Sequence, residues 1–393
     1  MNLKNIKLGS EVLLDESPNW LRTERLGLLM NQASVTHSFE LVSTLLAKAG
    51  ARLTCLFSPQ HGFFAEKQAN MIESPDDSER NLSLPIFSLY GRSREPDDEV
   101  LERIDVLLVD LQDVGTRVYT YGTTLGLCME AASRTGTKVV VLDRPNPIGG
   151  VYIEGNVLKE ECRSFVGRYP IPMRHGLTIG ELAQFIATRC NVGCDLEVIR
   201  MKGWSRSNFF CDTDLPWIFP SPNMPSWDTA LLYPGMVLLE GTNLSEGRGT
   251  TLPFHLFGAP FIDQERLIEV LKQYELDGLT FRRVSFEPVF DKYMGECCNG
   301  FQIHITDIYK VRPFRLGLAI LQSLSRVHPD EFRWLPPPYE YELYQLPIHI
   351  LLGNTSLEED ILHGVDVLAL EAGWAMELAR YDQQRAGCLL YLD

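Results

Sequence analysis

Short unbroken runs of apolar residues alternate along this chain with longer stretches in which Leu, Ala and Met mix with polar positions. Arg25–Gln32, Leu53–Ser58, Pro85–Tyr90, Val106–Asp110, Lys138–Leu142 and Leu196–Arg200 are such runs, rich in Leu, Val, Ile and Phe and bounded by charge or turn residues. That is the pattern of strands in a sheet covered on both faces. Between them, Phe39–Gly50, Thr123–Arg134 and Thr178–Cys190 have the length and composition of helices. Gly50 and Gly136 act as stops, and Thr178 with Glu181 three residues on forms a capping box. Strand, helix and strand in repetition predict an α/β fold, doubly wound, with right-handed crossovers. In such sheets ligands bind outside the carboxyl ends of the strands. Polar residues collect there: Asp110, Gln112, Asp113, Thr116, Arg117, Tyr119 and Tyr121 after one strand, then Asp143, Arg144 and Asn146 after the next.

Beyond Asn146 the texture changes to long loops, ending in an aromatic run with Pro216, Pro220, Pro222 and Pro225. Such a run suits neither helix nor central strand, so the chain divides near Asp228 into 1–228 and 229–393. The length, 393 residues, also exceeds one ordinary core. In the second part helices are predicted at Asp263–Tyr274, Arg312–Arg326 and Asp366–Arg380, with strands near Thr280–Phe286 and Gly300–Thr306. This makes a smaller α/β or α+β domain.

Charge and composition then narrow the function. Thirty-six basic against 52 acidic residues leave a net charge of −16 without a basic cluster, which argues against nucleic acid and anionic membrane as partners. The N-terminus lacks a signal-peptide core, and no segment is apolar enough to span a bilayer. Nine irregularly spaced cysteines read as reduced thiols, so the expected location is cytoplasmic. Neither Cys190 with Cys194 nor Cys297 with Cys298 has a His at ligand spacing, so no metal site is expected. The dinucleotide fingerprint, the P-loop, the G-x-S-x-G elbow and H-E-x-x-H are all missing.

Five stretches remain as candidate chemistry. The loop PQHGFFAEKQANM follows Leu53–Ser58 and offers His61 and Glu66, either as substrate contacts or as ordinary turn residues. Asp113, Arg117 and Tyr119 alternate with Val114 and Val118, as a substrate face or as a structural Asp–Arg pair. Glu130 lies among Leu, Met and Ala on its helix; if buried, its pKa would be raised toward that of a general acid. EGTNLSEGRGT (240–250) combines Glu240, Asn243 and Arg248 with three glycines, a set suited to a hydroxyl-rich ligand or to an interdomain loop. Trp204, Phe209, Phe210, Trp217, Phe219 and Trp227 read as a sugar platform or as core between the domains.

Taken together, LGLLMNQAS, FSPQHGFF, LPIFSLYG, DVLLVDLQDVGTRVYTY, VLDRPNP, HGLTIGELA, PSPNMPS, YPGMVLLEGTNLSEGRGT and GFQIHITD resemble one family, the exo-β-N-acetylmuramidases of the NamZ type, formerly a domain of unknown function (DUF1343). The resemblance implies a Rossmann-like catalytic N-terminal domain, a smaller C-terminal domain and an active site in the crevice between them. It implies release of N-acetylmuramic acid from non-reducing ends of peptidoglycan fragments, without metal or nicotinamide. Glu130 matches one expected glutamate. Relatives read Pro-Glu-His-Gly-Phe where this chain has Pro59-Gln60-His61-Gly62-Phe63, so a second carboxylate must come from elsewhere, with Glu66 and Asp113 as candidates. A substrate acetamide acting as internal nucleophile is the alternative. Arg117 or Arg248 would pair with the lactyl carboxylate, and His61, Asn223 and Asn243 would bind hydroxyls or the acetamide. The competing expectations are a sugar-binding protein inactivated at Gln60, and a nucleotide-sugar enzyme, which the missing Gly-rich loop disfavours.

Overall fold

The computed structural model describes residues 3–68, 72–79 and 81–392; the end of the PQHGFFAEKQANM loop, 69–71, lies outside them. Strand β1 (Leu26–Met30), β2 (Leu53–Ser58), the short β3 (Asp77–Glu79), β4 (Leu84–Ser88), β5 (Val106–Asp110) and β6 (Lys138–Leu142) form most of the first sheet. A hairpin of β7 (Glu154–Val157) and β8 (Pro172–Arg174) stands apart, and β9 (Leu196–Ile199) closes the sheet. Its order is β3-β4-β2-β1-β5-β6-β9, parallel throughout except for the antiparallel edge strand β3. The chain winds outward from β1 in one direction and from β5 in the other, so the two central strands meet at a topological switch. Their register is Met30 opposite Asp110, and every residue of both is buried, as the unbroken apolar runs predict.

The helices cover both faces. Tyr121–Thr135 ends at Gly136 in the left-handed conformation, and Ile179–Arg189 starts from the Thr178–Glu181 capping box. The crevice at the switch point is already filled. Arg144 pairs with Asp110 and donates to Val35 O, and Asn31 donates to Pro220 O and to the Tyr121 hydroxyl.

The second part begins with helix Trp227–Met236, which packs on Pro313–Val327; Gly235 and Gly317 meet so closely that a Cβ on Gly235 would overlap Pro313 O. A three-stranded antiparallel sheet of β10 (Leu256–Ala259), β11 (Leu279–Phe286) and β12 (Cys298–Ile305), in the order β10-β12-β11, flanks these helices. The segment expected as one helix at 366–380 is two, Val367–Gly373 and Ala375–Ala386, broken at Trp374.

The end of the chain returns to the first sheet. Tyr381 Oη donates to His175 O at 2.8 Å, and Arg385 Nη1 to the carbonyls of Gly150 and Gly176, both at 3.0 Å. Leu390 N donates to Glu181 at 2.9 Å. Tyr391 Oη donates to Asp143 at 2.6 Å, beside the Thr178 hydroxyl and Gly180 N. No helix among the described residues is long and apolar enough to cross a membrane.

Candidate active site

The two parts enclose a small polar recess beyond the carboxyl ends of β2 and β5, with a cavity volume of about 40 Å³. One wall is the loop after β2 (Gln60, His61) and the start of the helix after β5 (Tyr119, Thr120, Tyr121). The proline-rich turn adds Ser221, Asn223 and Met224, and the second part supplies Tyr233, Glu240, Arg248, Phe254, Tyr339 and Glu340. Local backbone shape brings these together. Gly249, at φ 77°, passes so close to Phe290 O that a Cβ would stand 2.4 Å away, which holds Arg248 inward. Glu340 (φ 44°) and Tyr341 (φ 70°) are consecutive left-handed residues without the excuse of glycine, a conformation that costs about 1–3 kcal/mol each. Packing in the proline-rich run 336–341 holds this turn and puts the Glu340 carboxyl into the recess.

The two recess carboxyls are treated oppositely. Glu340 is 3 % exposed; Tyr90 Oη donates to its Oε2 at 2.6 Å and Gln60 Nε2 to its Oε1 at 3.3 Å. Burial raises its pKa and the charge of Glu240 adds to that, while the two hydrogen bonds offset only part. Glu240, on the turn Val237–Gly241, is equally buried, but Arg248 Nη2 reaches its Oε1 and Tyr339 Oη its Oε2, each at 2.7 Å. Burial would raise Glu240 as well. The Arg248 charge, the two hydrogen bonds and the Lys292 charge outweigh it and hold this carboxylate below the usual range. Behind it, Glu246 stands 3.2 Å from Arg248 Nε and 2.8 Å from Lys292 Nζ.

Gln60 sits between the walls. Its Oε1 accepts from the Thr120 hydroxyl at 2.7 Å while its Nε2 faces Glu340, so the amide orients a carboxyl that it cannot itself supply. His61 Nδ1 lies 2.8 Å from Lys67 O. Loss of water around the ring lowers its pKa to about 4, so the imidazole is neutral with Nδ1 donating and Nε2 left as an acceptor. Asn223 Nδ2 donates to Gln68 O at 3.1 Å, which leaves its carbonyl oxygen for a ligand.

Six of the residues anticipated from the sequence thus meet in one place: Gln60, His61, Tyr119, Asn223, Glu240 and Arg248. Five do not. Glu130 is nine residues down its helix from Tyr121, about 13 Å at helical rise. Arg168 holds it at 3.0 and 2.6 Å and Tyr169 at 3.1 Å. Its side chain is 24 % exposed, and although burial pulls its pKa up, the Arg168 and Tyr169 contacts bring it below normal, the reverse of what a general acid needs. Glu66 is exposed and packs back over Gly62. Asp113 is a buried turn carboxylate, accepting from Gly115 N at 2.7 Å with His175 at 3.4 Å. Arg117 donates to four backbone carbonyls, Asn156 at 2.8, Ile171 at 3.2, Leu351 at 3.1 and Leu352 at 2.8 Å, and so has no fork left for a substrate carboxylate. Asn243 is spent on Glu331 O and Arg333 N.

Arg248, though in the recess, lies between Glu240 and Glu246 and is already neutralised. Sequence reasoning missed Glu340, Tyr339, Tyr90 and Tyr233. The signal for the first two was an acid between tyrosines just after three prolines, PPPYEY, a run with no periodicity to mark it. Half of the aromatic run is core: Trp204, Phe209 and Phe210 are buried, with Phe210 edge-on to Trp217, while Trp217 and Trp227 are half-buried and Phe219 is exposed.

The family description "Exo-beta-N-acetylmuramidase NamZ, N-terminal" matches residues 26–228, and its C-terminal counterpart matches residues 231–391. Over 387 residues the chain is 40% identical to the peptidoglycan beta-N-acetylmuramidase NamZ of Bacillus subtilis (strain 168), spanning 98% of this chain and 91% of that protein. Two crystal structures of DUF1343 family proteins from Bacteroides fragilis NCTC 9343 share the architecture. One superposes with a TM-score of 0.89 at 31% identity, covering 98% of this chain and 99% of that one. The other has a TM-score of 0.78 at 27% identity and covers 99% of both.

Proposed function

This chain belongs to the exo-β-N-acetylmuramidase NamZ family and is a glycoside hydrolase; from that premise we propose that it releases N-acetylmuramic acid from non-reducing ends of peptidoglycan fragments, using Glu340 and Glu240. The observation that carries the assignment is the pair itself. Two carboxyls share one recess, and their surroundings push their pKa values apart, which is how acid and base roles are divided between like groups. Glu340, kept protonated, gives its proton to the glycosidic oxygen as the bond to the aglycone breaks. Glu240, ionised, faces the positive charge that develops on the sugar and takes a proton from the water that completes hydrolysis. Tyr90 and Gln60 hold the acid, and Arg248 and Tyr339 hold the base. His61 Nε2 and the Asn223 carbonyl suit the sugar hydroxyls and acetamide N–H. Nine unpaired cysteines support a reducing, cytoplasmic setting.

Leaving-group dependence tests the roles. A 4-nitrophenyl aglycone departs without a proton, whereas an N-acetylglucosamine aglycone needs one. Glu340→Gln should lower turnover of the disaccharide about 10²–10⁴-fold and of the nitrophenyl glycoside far less. Glu240→Gln should lower both, and Glu130→Gln neither. Wild-type turnover of both substrates by both recess variants would overturn the assignment.

A further inference from the structure

A muramic sugar differs from glucosamine by an ether-linked lactyl carboxylate, and the cations that line or back the recess cannot receive it. Arg248 lies between Glu240 and Glu246, and Lys292 is taken by Leu239 O, Leu244 O and Glu246 at 2.7–2.8 Å. Arg117 is saturated by carbonyls. Arg94 differs. Its guanidinium carbon stands 4.1 Å from the centre of the Tyr90 ring and 4.3 Å from that of Tyr341, with Phe165 at 5.8 Å. Among the described residues its one hydrogen bond is from Nη1 to Gly91 O at 2.6 Å, and Nη2 is 3.9 Å from Glu73, a solvent-facing carboxylate too distant for a hydrogen bond.

This group is built onto the catalytic acid. Tyr90, which the guanidinium stacks on, donates its hydroxyl to Glu340, and Tyr341, whose ring also meets the guanidinium, is the next residue in the chain. Phe165 precedes Val166, which lines the recess. Stacking walls the guanidinium on two adjacent sides, with ring planes 71° apart and ring centres 6.0 Å from each other, and leaves N–H groups on the remaining sides for a carboxylate. It also fixes the plane, so little side-chain entropy is lost when a ligand arrives. At 21 % exposure the side chain is sheltered enough for the pairing to matter yet still reachable.

We infer that Arg94, packed against Tyr90 and Tyr341 beside the catalytic acid, receives the carboxylate of the bound sugar and so makes the enzyme selective for carboxylate-bearing amino sugars. The inference rests on the glycosidase reading above and deepens it. The experiment compares 4-nitrophenyl β-N-acetylmuraminide with its lactyl methyl ester, the same sugar without the negative charge. Wild type should prefer the acid about ten- to hundredfold in kcat/KM, the range for a charge-assisted hydrogen bond. Arg94→Gln should bring that ratio close to one, chiefly through KM for the acid, and Arg94→Lys should fall between. Because the readout is a ratio of two substrates on one preparation, a loss of folded enzyme cancels out. Retention of the wild-type ratio by Arg94→Gln would overturn the inference, as would a wild type indifferent to the ester; both would leave the glycosidase reading intact. A wild type that cleaves neither substrate would remove that reading and this one with it.

Discussion

Replacing Arg117 by Met separates a structural arginine from a substrate-binding one. The guanidinium is buried, and burial lowers its pKa to about 10, so it stays charged at neutral pH. It ties the first part, through Asn156 O and Ile171 O, to the last carbonyls of helix Pro347–Leu352, where a cation also complements the helix dipole. A hydrogen bond from a charged donor is worth about 1.5–3 kcal/mol. Two of the four bonds are 2.8 Å and two are longer, and all hang on one side chain, so they do not add fully. Counting the two short ones gives about 4 kcal/mol. Unfolding entropy near 2.1 cal/mol/K per residue over 393 residues is about 0.8 kcal/mol/K, so Tm should fall by roughly 5 °C. Met fills most of the volume of the aliphatic stem, which keeps the loss polar. The assay is thermal melting with steady-state kinetics on the nitrophenyl muraminide. Tm should drop while KM stays within about twofold, since the side chain does not reach the recess. An unchanged Tm with KM raised tenfold would refute the reasoning and restore Arg117 as a substrate ligand.

Other outcomes follow from the charges. The pH profile of kcat/KM on the disaccharide should be a bell: the acid limb, set by Glu240, below the ordinary carboxyl range, and the basic limb, set by Glu340, above it. A basic limb that persists in Glu340→Gln would show that another group is the acid. Gln60→Glu puts a second carboxyl where the amide nitrogen now sits 3.3 Å from Glu340; two such groups do not both ionise, so the basic limb should move to higher pH, read from the same profile. Tyr391→Phe concerns stability. Burial raises the pKa of Asp143 to about 7, so the folded chain keeps a proton that the unfolded chain releases near 4. Stability therefore falls as pH rises between those values, and the Tyr391 hydroxyl softens the fall by favouring the carboxylate. Its loss should cost about 1–3 kcal/mol and strand Met201 N, with the Tm deficit growing from pH 6 to pH 8. A deficit that shrinks over that interval would contradict the sign.

The first sheet was legible because its strands are buried on both faces, so β1, β2, β5 and β6 announce themselves as unbroken apolar runs. The Thr178–Glu181 box and Gly136 marked helix ends by local chemistry alone. Strands β7 and β8 passed unread because they are short and carry Gly, Asn and Pro, and helix Trp227–Met236 because Pro234 lies inside it. Half of the site was visible, since residues just beyond parallel strands must gather at one edge. The other half was not. Nothing local distinguishes Glu340 from other loop acids, and its pairing with Tyr90 spans 250 positions. Glu130 shows the converse: helical periodicity cannot reveal that Arg168 and Tyr169, from a distant loop, hold its carboxylate.

The return of the chain end to the first sheet bears on how the protein is made. Leu390 and Tyr391 leave the ribosome some two hundred residues after Glu181 and Asp143, yet each donates a hydrogen bond to one of them. The amino-terminal half therefore completes these hydrogen bonds only after Leu390 and Tyr391 have emerged. Without Leu390 and Tyr391, Glu181 would keep Arg206 and Thr178 N, and Asp143 the Thr178 hydroxyl and Gly180 N, but each would lose one donor. The two successive family descriptions are thus bridged, since residues matched by the second donate hydrogen bonds to residues matched by the first.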